Sequence, residues 1–363
     1  MTCPHIDPAG EFFTLKEMLD LTGIGSARHE IAALIGLVLP LLDGRLDIEK
    51  RTFGWHFDRL ARACTLQNTN AFFDGYGRQC GMAVWTHVRT WAEQRLVAHG
   101  PRVLGAGEFA TRGRLWILEA QFPHGMSPAL LRFLRDRSFA REHSVTYFRH
   151  ARGRRLVKRL SAEDRTRFAR EVGRGSRVSS GAFLKSSEGR ELMRHCAVAI
   201  RRAIDRGRAL MLLRTCERLA ALPLAVVLQR LETPLGLGQI CLKVSDTGEP
   251  MSLLTWAWLD RHQANRCQLA APETIARHEW NAGDLLCVCD AVAAPEGRPA
   301  LLHDLSGAWF PGEILHVFPG WAGLGARVPV GMLTLDVQRR HGLRDCRPDA
   351  PSVLAELLQG CTC

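Results

Sequence analysis

No stretch of the 363 residues approaches the roughly 20 consecutive apolar positions that a membrane-spanning helix requires. The longest candidate, Ile31 to Leu42, contains Pro40 and stops at Asp43, so it reads as a buried helix. Twelve cysteines are present but no Cys-x-x-Cys pair, and a zinc site built on such pairs is not expected. Aromatic residues make up only 7%, and no recognised nucleic-acid-binding motif accompanies them. Gly236-Leu237-Gly238 is a fragment of a phosphate loop without the rest of its pattern. The opening residues, MTCPHIDPAGEFF, have neither a basic start nor an apolar core, so the expectation is a chain without a secretory signal that works in the cytoplasm.

What is there points to a globular protein of more than one domain. The apolar fraction of 46% is ordinary for a soluble fold, and the length exceeds what one small core organises. Cys287 and Cys289 flank Val288 in an apolar run, where a strand would set both on one face as small hydrophobes. The net charge of +11 favours acidic partners, and the densest basic cluster is RHARGRRLVKR, Arg149 to Arg159. Without a nucleic-acid motif, that cluster is read as a solvated face or a docking surface for an acidic protein. Nucleic acid is not an expected partner.

The sequence matches itself at an offset of 171 residues without a gap. Gly77 meets Gly248, Trp85 meets Trp256, and Glu108-Phe109 meets Glu279-Trp280. Leu115 meets Leu286, and the carboxylates Glu119 and Asp290 coincide. Pro128-Ala129-Leu130-Leu131 falls on Pro299-Ala300-Leu301-Leu302, and Leu134, Phe139 and Glu142 fall on Leu305, Phe310 and Glu313. Chance matches of Leu and Ala are scattered; tryptophans, an acidic-aromatic pair and a carboxylate on one offset are not. The chain is therefore read as two divergent tandem copies of one domain.

Periodicity predicts similar elements in each copy. Apolar helical stretches run over Glu30 to Leu42 and Val198 to Leu222. Strands are predicted at Gly81 to Thr86, Gln239 to Val244 and Met251 to Trp256, with Asp246-Thr247-Gly248 as a hairpin turn. A later apolar run ends on a carboxylate in both copies: Arg114 to Glu119, and Leu285 to Asp290. Pro128 to Arg137 has helical spacing. Helices with antiparallel strands make an α+β unit. The expected organisation is an N-terminal extension (1–29), a first repeat (30–170), a linker (171–197, including the Gly/Ser-rich 173–189), a second repeat (198–345) and a C-terminal tail (346–363).

The unit resembles the lysine acyltransferases that activate RTX toxins. Gly248-Glu249-Pro250 leading to Thr255-Trp256-Ala257-Trp258-Leu259 is similar to the family's Gly/Asn-x-Pro and Ser/Thr-Trp-Ala-x-Leu. Glu279-Trp280-Asn281-Ala282-Gly283-Asp284 is similar to its acidic-Trp-x-x-Gly-Asp. Asp290 with Ala294-Pro295-Glu296-Gly297 resembles its Asp-x-x-Ala-Pro-x-Gly, and Phe310-Pro311-Gly312-Glu313-Ile314 its Phe-Pro-x-Glu-Leu. The first copy keeps Trp85, Gly113, Trp116, Glu119 and Phe122-Pro123-His124-Gly125.

The resemblance implies a tandem pair of units with a fold like the GCN5-related N-acetyltransferases, each a mainly antiparallel sheet flanked by helices. It implies an acyltransferase that moves a fatty acyl group from acyl carrier protein, as co-substrate and without another cofactor, to a lysine of a protein or peptide. The family pairs a His, in Ser-x-x-His-Arg, with an Asp after the central strand. Asp290 matches that Asp, and Glu119 is its counterpart in the first copy. The place of the histidine falls at Ile48-Glu49 and at Leu219-Ala220, and Ser-x-x-His-Arg occurs in neither region. His56 follows further along and is the candidate substitute. A catalytically inactive protein that keeps the scaffold to bind acyl carrier protein or a toxin-like partner is the alternative.

Overall fold

The computed structural model describes residues 13–24, 27–43, 51–74, 77–122, 139, 142–151, 154–164, 187–269, 275–303, 314–317 and 333–336. By internal contacts the chain divides into two units. The first comprises Met1–Leu42 and Phe57–Ile204, the second Asp43–His56 and Asp205–Cys363.

In the first unit the short strand β1 (Phe13–Thr14) leads into helix α1 (Leu15–Thr22). Thr14 and Glu17 cap this helix reciprocally: the Glu17 N–H donates to Thr14 Oγ1, and the Thr14 N–H to Glu17 Oε2. Helix α2 (Ala27–Asp43) is apolar almost throughout and buried from Ala32 to Leu39. Next come α3 (Phe53–Thr65), which belongs to this unit from Phe57 onward, β2 (Thr69–Phe73), β3 (Gln79–Val88), α4 (Thr90–His99), β4 (Arg114–Gln121), β5 (Ser144–Ala151) and β6 (Arg154–Ser161). The six strands lie in sequence order, antiparallel except for the parallel pair β4–β5. β3 is buried along nearly its whole length and reads as a continuous apolar run, as a strand covered on both faces must. Trp85, Phe72, Leu115, Ile117 and Phe139 form its core, with Trp85 edge-on to Phe139 at 5.2 Å.

The second unit follows the long helix α5 (Ser187–Thr215), whose last turns belong to it, and the short α6 (Glu217–Ala220). Then come α7 (Leu224–Leu237), β7 (Ile240–Val244), β8 (Pro250–Leu259), α8 (Arg261–Leu269), β9 (Leu285–Ala293), α9 (Arg298–His303), β10 (Ile314–Val317) and β11 (Leu333–Asp336). The sheet order is β11-β10-β9-β8-β7, again antiparallel apart from one parallel pair, β9–β10. Helices α7, α8 and α9 pack on β8. Both units are therefore α+β, with mainly antiparallel sheets flanked by helices.

Fine detail recurs at the same spacing. β3 and β4 slip register opposite Val84/Trp85, leaving Leu118 as the extra residue; β8 and β9 slip opposite Thr255/Trp256, leaving Cys289. The Trp85 N–H donates to the Asn68 carbonyl at 2.8 Å, and that of Trp256 to Gln239 at 3.2 Å. Glu108 takes the Gly105 N–H and pairs with Arg95, while Glu279 takes the Ala276 N–H and pairs with Arg266. Gly77 and Gly248 both turn with positive φ, 70° and 83°.

Several elements differ from expectation. The stretch 1–29, read as an extension, supplies β1 to the edge of the first sheet, where Phe13 pairs with Phe73. Helix α5 starts at Ser187, so the last part of the expected linker is helical. Residues 173–186, the predicted helix at Pro128 to Arg137 and the tail 346–363 lie outside the described residues. The basic stretch 149–159 belongs to the β5–β6 hairpin, with β6 at the sheet edge. Helices α3 and α7 were not anticipated at all, and they carry the most informative side chains.

Candidate active site

Asp290 sits near the middle of β9, in the run LLCVCDAVA, which buries nearly every residue. The slip at Cys289 places it directly opposite Thr255 on β8. Arg230 comes from α7, six residues after the helix begins, and donates from Nη2 to Asp290 Oδ1 at 2.5 Å. Thr255 Oγ1 donates to the other carboxylate oxygen at 3.4 Å. The side chains of Arg230 and Asp290 are only 5% and 4% exposed. Burying either ion alone would cost several kcal/mol, so each charge depends on the other.

The first unit repeats this arrangement. Arg59 of α3 donates from Nη1 to Glu119 Oε1 on β4 at 2.9 Å, with side chains 7% and 12% exposed. Its guanidinium also lies 5.7 Å from the centre of the Phe109 ring, a cation–π distance. Opposite Glu119 stands Val84, so the hydroxyl that Thr255 supplies in the second unit has no counterpart here.

In both units an arginine is thus among the side chains that reach the carboxylate. Guanidinium carries five donors and no acceptor, so it neutralises and orients the carboxylate without being able to take a proton. Leu219 and Ala220, where the resemblance places a histidine, are buried apolar residues of α6. Their first-copy counterparts, Ile48 and Glu49, lie outside the described residues. His56 is buried in α3 with its ring edge-on to Trp55, 4.9 Å between centroids.

A histidine–carboxylate pair does occur where the sequence did not point to one. His87 Nε2 on β3 lies 3.0 Å from Glu142 Oε1, with both side chains partly exposed. The signal available was Glu142, which the 171-residue offset aligns with Glu313. Its partner escaped because Trp258 stands at the equivalent of His87.

The motif residues that carried the resemblance have structural reasons. A Cβ on Gly283 would collide with the Leu259 carbonyl and the Asp260 amide at the end of β8, and one on Gly297 with the Met251 carbonyl. The preceding Glu279-Trp280 pair closes the same loop: the Trp280 carbonyl accepts the Trp258 N–H at 2.9 Å. Trp280 itself packs with the buried Cys287 and Cys289.

Residues 205–319 match the RTX toxin acyltransferase family. The matched span starts at Asp205, where the second unit resumes, and includes Arg230, Thr255, Asp290 and both close-packed glycines. The RTX toxin acyltransferase match implies, in general terms, an acyltransferase of the toxin-activating kind. The first unit lies wholly outside the matched residues. No curated protein matches the chain. None of the helices among the described residues is long and apolar enough to cross a membrane.

Two buried thiols of the first unit are held in the neutral form. Burial pushes the Cys64 thiol far up and the Cys80 thiol up to about 12, with the nearby carboxylates Glu30 and Asp74 adding to the effect. Neither forms the thiolate needed for nucleophilic attack near neutral pH.

Proposed function

We propose that the chain transfers a fatty acyl group from acyl carrier protein to a lysine side chain of a protein or peptide, and that it consists of two divergent copies of one GCN5-related N-acetyltransferase-like unit. The observation that carries the activity is the family match over 205–319, which spans the strand bearing Asp290. The duplication is supported by elements, register slips and Arg–carboxylate pairs that recur at one spacing.

In the reaction the neutral lysine amine attacks the thioester carbonyl. The new C–N bond replaces the C–S bond, the carrier leaves as thiol, and the amine gives up a proton. Asp290 is the catalytic carboxylate of the second unit in this reading, held in place by Arg230 and Thr255; Glu119 is its counterpart in the first. The exposed basic residues of the edge strand β6, Arg155, Lys158 and Arg159, support an acidic protein partner.

The test is to incubate the full chain with acyl carrier protein charged with fatty acids of several lengths and with candidate acceptors. A lysine adduct of acyl mass, read by mass spectrometry, is the expected product. Asp290→Asn, checked for folding, is expected to slow transfer by about 100-fold or more, and His87→Gln to leave it within about twofold. The reverse pattern would move the chemistry to the first unit. Stable capture of the carrier with no adduct at any chain length would overturn transfer and leave a docking scaffold.

A further inference from the structure

The first unit contains a cavity of about 330 Å³ between the end of α3, the opening turn of α4 and the loop before β4. Three arginines line it, Arg62, Arg89 and Arg112, one from each of those segments. None of the three has an ion-pair partner among the described residues, whereas many other arginines of this unit are paired: Arg59 with Glu119, Arg78 with Asp74, Arg95 with Glu108 and Arg114 with Glu93. The only carboxylate in the wall is Glu108, already bound to Arg95 and to the Gly105 N–H. The rest of the wall is made of small and apolar residues with two aromatic rings. Phe109 is buried beneath the cavity, and Trp91 is 54% exposed at its rim, an unusual position for so large an apolar ring.

The second unit serves as an internal control. Its residues at the same spacing are Thr233 for Arg62, Asp260 for Arg89, Gly283 for Arg112 and His262 for Trp91. The scaffold residues recur, since Glu279 keeps the place of Glu108 and Trp280 that of Phe109. What changes is the charge and the exposed ring. Three cations facing one cavity repel one another, and nothing in the fold of the second unit requires them.

We infer that this cavity is a binding site for a small phosphorylated ligand with a flat ring, of the nucleoside diphosphate class. Three exposed arginines on the wall of one cavity, from three segments, supply the charge that the several oxygens of a diphosphate require, and each guanidinium carries paired donors. Trp91 offers a face on which a base can stack, and the volume lies in the range of small-molecule sites. The inference does not rest on the acyl-transfer reading, because it uses neither carboxylate nor the matched span.

Isothermal titration of the full chain with ADP, pyrophosphate and adenosine tests it. ADP is expected to bind saturably with one site per chain, pyrophosphate more weakly, and adenosine not measurably. Each of Arg62→Gln, Arg89→Gln and Arg112→Gln should weaken ADP about tenfold, the effect of losing one charge-assisted hydrogen bond. Trp91→Ala should weaken ADP more than pyrophosphate. Arg114→Gln, an exposed arginine outside the cavity, is expected to change nothing, and thermal unfolding checks that each variant stays folded. Absence of saturable binding by ADP and pyrophosphate, adenosine binding as well as ADP, or ADP binding that survives the triple arginine variant would each overturn the inference.

Discussion

The two units hold the same hardware in different chemical dress. Each ties an arginine on the helix before the sheet to a carboxylate on the third strand of the recurring set, across a register slip at the same place. Around that shared device the units diverge. The second buries its carboxylate more deeply, adds the Thr255 hydroxyl and carries the family match. The first adds a His87–Glu142 pair and a cavity ringed by unpaired arginines. The lesson is that the arginine–carboxylate link is common to both units, while the groups that differ around it are where separate roles can lie.

Three measurements can break or sharpen this comparison. The largest effect is expected from removing one partner of the buried pair. Asp290→Ala removes the buried carboxylate that pairs with Arg230 and should cost about 3–5 kcal/mol in chemical denaturation. Glu119→Ala should cost less, because its pair is more exposed. Replacing both members with apolar residues, Arg230→Met with Asp290→Leu, should recover most of the loss. If Glu119→Ala proves the costlier change, the first unit is the one built around its pair.

A smaller difference lies at the turn after the helix that carries the arginine. Gly238 closes α7 at φ 70°, and in the first unit Gln67 adopts φ 55° at the same spacing. Glycine enters this region without steric cost, so Gln67→Gly should raise the melting temperature, by a stabilisation of about 1 kcal/mol. Gly238→Ala should lower it. A destabilising Gln67→Gly would show that the side chain contributes more than the strained backbone costs.

The smallest effect concerns Glu279. The Arg266 guanidinium, and next the Ala276 N–H, hold its carboxyl below the ordinary carboxylate range. A folded-state value below the unfolded one means the contribution is present above the unfolded value and is lost as pH falls through the folded one. The stability gap between the wild type and Glu279→Gln should therefore be open at neutral pH and close under acid, followed by circular dichroism. Because the pair faces solvent, high salt should narrow it as well. A gap that persists at low pH would assign the effect to packing.

Much of the sheet was legible because strands buried on both faces leave compact apolar runs, and tryptophans mark them. β8 extends the predicted Met251 to Trp256 at both ends, and β9 starts at Leu285 as predicted and runs on past Asp290 to Ala293. The helices before each sheet were not anticipated: α7 contains Pro234 near its end and α3 opens on Phe-Gly, although Phe53, Phe57, Leu60 and Cys64 do fall at helical spacing on a buried face. Arg59 and Arg230 do fall on the 171-residue offset, but a lone arginine match carries little weight until a carboxylate is seen within reach. The β5–β6 hairpin hid for another reason. On β6, residues 155 to 159 are all exposed, so the strand has no apolar face to betray it and reads as a run of charge. The cavity was invisible because its three arginines are scattered between positions 62 and 112.

The register slip has a further consequence for how such a chain can change over time. A strand presents alternate residues to opposite faces, so adding or deleting one residue beside the bulge would turn the carboxylate to the wrong side of the sheet, away from its arginine. Substitutions there cost only what the lost contacts are worth, whereas a change of length severs the link outright. Between Arg59 and Glu119, as between Arg230 and Asp290, the count of residues is identical although most of the residues themselves differ. The bulge acts as a ruler: it lets the letters drift and forbids the spacing to.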